Sequence, residues 1–293
     1  MSSTHGGYYV PQPSHWPIVG SIGLFLTTGG FAMALPSKMG DPMGSLAMMY
    51  AGFAVLAVML FGWFGTVIKE SQSGLYNAQV DRSFRMGMTW FIFSEVMFFA
   101  AFFGALYYIR IFSDPWLGGA GNNLSTNEWL YPEYASTWPT NGPGNVGGDF
   151  KTMGPWGIPA INTLILLMSG VTVTWAHWGL KKEKRSQLIL GLFATVALGF
   201  VFVGFQAYEY IHAYTDLNLT MNSGAYGSTF YMLTGFHGLH VSIGAIMLLV
   251  VLIRSMKGHF TEENHFAFEA AAWYWHFVDV VWLGLFIFVY WLV

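Results

Sequence analysis

Twenty-three residues near the C-terminus, AAAWYWHFVDVVWLGLFIFVYWL from Ala270 to Leu292, leave this chain few ways to fold. As a helix rising about 1.5 Å per residue, they reach roughly 34 Å, enough to cross a hydrocarbon core about 30 Å thick. The same stretch carries His276 and Asp279 one helical turn apart. An Asp near the centre of a span costs roughly 2.5 to 3.5 kcal/mol on insertion scales, so such residues face a protein interior and find partners there. A span of this kind requires other spans around it.

The rest of the chain supplies them. Apolar windows near 17–36, 43–68, 86–110, 156–180, 187–211, 227–253 and 268–292 predict seven membrane spans. Pro17 suits a first helical turn, Pro36 closes the first span, and Pro155 and Pro159 mark the start of the fourth. Only 9% of residues are charged and 54% are hydrophobic, far from the soluble average of about 25% charged, so an integral membrane protein is the class. The long connection at 111–155, rich in Gly, Pro, Asn and Trp, reads as an extramembrane loop ordered in places.

Basic residues set the expected orientation. Lys69, Arg82, Arg85, Lys181, Lys182, Lys184, Arg185, Arg254 and Lys257 fall on one side, and Lys38, Arg110 and Lys151 on the other. This imbalance puts the N-terminus on the cytoplasmic side and the C-terminus outside. The N-terminal stretch has no basic residue before its first apolar run, so a cleaved signal peptide is not expected. A formal charge of -3 without a basic run excludes a nucleic-acid partner, and no internal repeat suggests a two-fold transporter. The chain has 0 Cys, which excludes disulfides, thiolate-held copper, iron–sulfur clusters and covalent c-type haem in this chain.

Several ionisable residues could carry chemistry. Glu95 stands in the third span among aromatics and methionines. Burial favours its neutral acid unless another helix supplies a cation, and both a proton-handling and a helix-packing role are open to it. His237 and His240 share a helix face, with Gly235 and Gly238 permitting close approach. Imidazole suits haem or copper, but a pair spaced by three on one helix cannot clamp both axial sites of one haem, so hydrogen bonding between helices is expected. His177, at a helix end beside a run of bases, reads as interfacial rather than metal-bound. His276 and Asp279 are expected to form a neutral internal bridge. Glu209 and His212 share the three-residue spacing at the outer end of span five, where nearby water makes charge inexpensive. Trp16 and Trp63 read as interfacial aromatics. Lys69, Arg254, Lys257 and His259, at the cytoplasmic ends of spans two and six, read either as ordinary positive-inside charge or as a pocket for an anionic phospholipid head group.

Taken together, FEAAAWYWHFVDVVWL (268–283), YGSTFYMLTGFHGLHVSIG (226–244), SEVMFFAAFF (94–103), SGVTVTWAHWGL (169–180), SHWPIVG near the start and VIKES (67–71) resemble cytochrome c oxidase subunit III along nearly the whole chain outside the 111–155 loop. The resemblance implies an all-α polytopic membrane fold with seven transmembrane helices in two bundles: a pair (17–68) and a five-helix group (86–292), separated by a V-shaped cleft that holds phospholipid. It implies no catalytic residue, metal or redox centre here. Haems and copper are expected in partner subunits I and II, so the electron donor, cytochrome c or another, meets this chain only through the complex.

The resemblance also implies that this chain stabilises subunit I, supports proton uptake during the reduction of O2 to water, and binds phospholipid. Glu95 matches the family's intramembrane glutamate. Lys69 stands where the pattern has Arg, keeping the charge without the bidentate fork. With Glu70, Trp63, Arg254, Lys257 and His259 it forms the lipid-contacting set, while His237, His240, His276 and Asp279 are left as structural polar groups. A quinol oxidase counterpart typically has five spans, so the extra N-terminal pair favours the cytochrome c type over that alternative and over a stand-alone transporter. The long loop suggests a bacterial plasma membrane rather than a mitochondrial inner membrane.

Overall fold

The computed structural model describes residues 9–35 and 42–293, with side chains from Ser45 onward in the second stretch. Pro36 and Lys38, used above, lie outside the described residues. Among those described there is no strand, and seven helices are long and apolar enough to cross a membrane. The helices are α1 (Trp16–Ala34), α2 (Pro42–Gln72), α3 (Ala78–Tyr108), the short α4 (Asp114–Leu117) and α5 (Leu124–Leu130), then α6 (Ile158–Lys181), α7 (Arg185–Asp216), α8 (Gly224–Met256) and α9 (Phe266–Leu285). A π-helical segment, Phe286–Trp291, extends α9.

Helices and apolar windows differ at their ends for a physical reason. Apolar length marks the hydrocarbon, whereas a helix continues into water as long as its backbone is satisfied. Thus α3 starts at Ala78 rather than 86, because the Asn77 side chain caps it by accepting the Gln79 and Val80 N–H groups, each at 3.0 Å.

The chain divides into two compact units between Phe84 and Arg85. In the first, α1 and α2 pack along small residues. A Cβ on Gly30 would sit 2.4 Å from the Met49 nitrogen, and one on Gly52 2.4 Å from the Thr27 nitrogen, so the two backbones touch where only glycine fits. The Trp16 indole fills the space over Gly62 and donates to Thr66 Oγ1 at 3.2 Å.

In the second unit, α6 to α9 pack in chain order as neighbours, and α9 returns against α6 to close a four-helix bundle. Its core is aromatic, with Trp275, Trp282, Tyr226, Tyr290, Phe202, Phe230 and Phe268 fully buried. Indole N–H groups need partners in such a core. Trp275 donates to Ser169 Oγ at 2.8 Å and Trp282 to Thr163 Oγ1 at 2.9 Å, tying α9 to α6. Rings carry α3 onto this bundle: Phe98 meets Phe236, Phe99 meets Phe277 and Phe103 meets Phe288.

Segment 111–155 is built, as expected, from short ordered pieces. The Asn127 amide donates to the carbonyls of Leu117, Tyr131 and Tyr134, and the buried Asp114 carboxylate accepts from Tyr134 and Ser136 hydroxyls. The segment docks on the α7–α8 connection through Lys151 N–H to Leu217 O (2.9 Å) and on the first turn of α8 through Tyr226 N–H to Thr140 O (3.0 Å).

Candidate functional site

Glu95 does find a partner on another helix. Its Oε2 lies 2.9 Å from His240 Nε2, joining α3 to α8. His240 Nδ1 is 2.6 Å from the Phe236 carbonyl, which can only accept, so Nδ1 carries a proton. Nε2 is then either bare, receiving a proton from neutral Glu95, or protonated, donating to the Glu95 carboxylate. In both cases one proton sits between the two side chains and the pair is neutral overall. The rings of Phe98, Phe99 and Tyr274 surround the imidazole. The side chains keep 21% (Glu95) and 11% (His240) of their exposure, so the pair borders the surface of the unit rather than its centre.

His237 and His240 serve different ends despite their shared face. His237 is fully buried and its Nε2 lies 3.1 Å from the Val278 carbonyl, so it donates there and links α8 to α9. Its ring packs against Phe202 and Trp282. Hydrogen bonding between helices thus describes both residues, with both nitrogens of His240 engaged.

His276 and Asp279 lie closest at 3.8 Å, Nδ1 to Oδ2, too far for a hydrogen bond. Asp279 is buried, and its Oδ2 occupies the space a Cβ on Gly170 would need, 2.5 Å away. His276 keeps 46% of its side-chain exposure and has Thr174 Oγ1 3.3 Å from Nε2. The expected internal bridge is therefore a loose contact reaching from the interior to the surface, because the i,i+3 geometry points the two groups at different neighbours.

The lipid-contacting set is divided between the units. Lys69 is exposed in the last turn of α2, the Glu70 carboxylate accepts from Tyr76 at 2.8 Å, and Trp63 is exposed on the same helix. In the second unit the Arg254 guanidinium lies over Phe260, 4.5 Å from its centroid, and Lys257 is exposed one turn on. Desolvation first, then the charges of Arg254 and Lys257, holds the His259 imidazole below its ordinary value.

The reading of Glu209 is corrected. It is 1% exposed on α7, beside Gln206 and Tyr290, and its carboxylate oxygens have no hydrogen-bond partner among the described residues. His212 pairs instead with Asp216 at 2.6 Å. Position near a helix end did not reveal that Tyr290, in the segment that extends α9, lies beside this carboxyl. A second group, His177, His265 and Glu269, also went unrecognised as a group, although the i,i+4 spacing of the latter two places them on one face.

Residues 6–128 and 130–293 match a family model described as cytochrome c oxidase subunit III. Among similar proteins, cytochrome c oxidase subunit 3 of Tetraodon nigroviridis is 40% identical over 99% of both chains. The corresponding protein of Latimeria chalumnae is 41% identical and that of Pongo abelii 40% identical, again over 99% of both chains. All three organisms are eukaryotic, which leaves the expected bacterial origin without support.

Proposed function

This chain belongs to the cytochrome c oxidase subunit III family, and from that premise we propose that it acts as the non-redox membrane subunit that supports proton uptake by its partners. It is a multi-pass membrane protein and a component of an oxidoreductase complex. Haem and copper reside in subunits I and II in this reading. The absence of Cys and the engagement of both His240 nitrogens support it.

The observation that carries the proton-related role is the Glu95–His240 pair. It holds one exchangeable proton near the surface of a membrane bundle, between groups that can pass it without leaving a net charge in the apolar phase. A face for subunit I is supported by His276, a half-exposed imidazole backed by the buried Asp279. A polar spot on a spanning helix favours a protein neighbour over lipid.

Anionic phospholipid is proposed to meet each unit by itself: Lys69, with Glu70 and Trp63 beside it, in the first, and Arg254, Lys257 and His259 in the second. The basic residues that end α6 and α8 and begin α7 gather on one side of the second unit, where Arg185 donates to the Met256 carbonyl. That side is proposed as cytoplasmic or its equivalent, with the N-terminus.

The test is removal of this chain from the purified complex. Haem and copper content of the remainder should stay unchanged while proton uptake slows. Loss of haem with the chain would overturn the reading.

A further inference from the structure

We propose that His177, His265 and Glu269 form a binding site for a divalent transition-metal cation, best matched by Zn2+, at the junction of α6 and α9. Among the described residues these are the one group of three His, Cys, Asp or Glu side chains whose ligand atoms converge. His177 Nε2 lies 3.3 Å from His265 Nε2 and 3.7 Å from Glu269 Oε1, and His265 Nε2 lies 3.3 Å from the same oxygen. Tetrahedral zinc with bonds of about 2.0 to 2.1 Å sets its ligands about 3.3 to 3.4 Å apart. The three atoms already stand near that triangle, leaving the fourth position for water.

The surroundings orient the ligands. His265 Nδ1 donates to the Thr261 carbonyl at 3.1 Å, which leaves Nε2 bare in the neutral ring and aimed at the other two. A ligating histidine is commonly fixed by such a backbone bond on its other nitrogen. The Arg85 guanidinium holds Glu269 Oε2, turning Oε1 toward the imidazoles. Phe268 packs against the His177 ring. The side chains retain 22%, 7% and 12% exposure for His177, His265 and Glu269, so the site is walled yet reachable at the end of the membrane span.

The donor set suits a dication even with Arg85 and Lys181 nearby, because one carboxylate oxygen and two neutral imidazoles face it, and imidazole with carboxylate is a common zinc set. A bound ion would fasten the end of α6 to the start of α9 and, through Glu269 and Arg85, to α3. This goes beyond the family reading and does not depend on it.

The test uses the complex purified through a tag on this chain and equilibrated with Zn2+ alone. Wild type should retain one zinc per chain more than His177→Asn or Glu269→Gln, and that zinc should show two imidazoles and one carboxylate oxygen by X-ray absorption. Each variant should bind there at least about 10-fold more weakly, the lower bound for losing even an outer-shell partner. Equal zinc in wild type and both variants overturns the site and leaves a hydrogen-bonded cluster. If neither variant assembles, the wild-type spectrum decides: no zinc bound by two imidazoles overturns the proposal. Zinc is counted per copy of this chain, whatever co-purifies, so failure here leaves the functional reading standing.

Discussion

Glu95 and His240 share one proton across the gap between α3 and α8, because the Phe236 carbonyl commits the other imidazole nitrogen as a donor. The pair is neutral whichever side chain owns the proton. This resolves how a carboxyl and an imidazole persist on spanning helices without an uncompensated charge.

Replacing Glu95 by Gln keeps a donor facing His240 Nε2, and haem content of the complex should not change. Glu95→Leu strands that nitrogen and should weaken the packing of α3 by about 0.6 to 1.7 kcal/mol, the range for hydrogen bonds between membrane helices. Thermal melts of the solubilised variants should rank Gln above Leu. Equal melting temperatures would remove the pair's structural role.

Gly30 and Gly52 let α1 and α2 touch, so Gly52→Val should cost about 1 to 3 kcal/mol through overpacking against Thr27. Gly65→Ala, on the same helix with nothing within 4 Å of its Cβ, is the control and should be neutral. Detergent melts of the two variants check the contrast.

His259 should make lipid retention depend on pH. Desolvation, then the charges of Arg254 and Lys257, favours its neutral form, whereas an anionic head group favours the protonated one. Affinity for anionic lipid should therefore rise as pH falls through its titration, and His259→Gln should flatten that profile. Separately, Lys69→Gln combined with Arg254→Gln should lower tightly bound anionic phospholipid at any pH, read by mass spectrometry of extracted lipid. Unchanged retention would show that neither residue binds lipid.

In segment 111–155, burial and the bond to Asp114 push Tyr134 up to about 12, so its hydroxyl stays a donor across the working range. Tyr134→Phe leaves the buried Asp114 with Ser136 as its remaining hydroxyl donor. A cost of about 1 to 3 kcal/mol is expected, visible as faster proteolysis within residues 118–150.

The fold was legible because apolar length is a local property. Seven windows located seven helices, and errors at their ends came from polar turns such as 78–85 that remain helical in water. The site was legible only in part. Glu95 stood out as an acid inside a span, but its partner lies 145 residues away and no spacing rule connects them. His276 and Asp279 were visible as neighbours, while Gly170, which admits the carboxylate between helices, gave no signal of its own. Glu209 was misread because burial near a helix end depends on side chains from elsewhere in the chain, here Tyr290 of the segment that extends α9.

The most direct test of the central claim is purification of this chain from its native membrane through a tag, with mass spectrometry of the partners and an absorption spectrum before and after the chain is separated. The account predicts oxidase subunits I and II alongside it, with all haem absorbance staying with them. A chain that purifies without those subunits, or that keeps haem when alone, would contradict it.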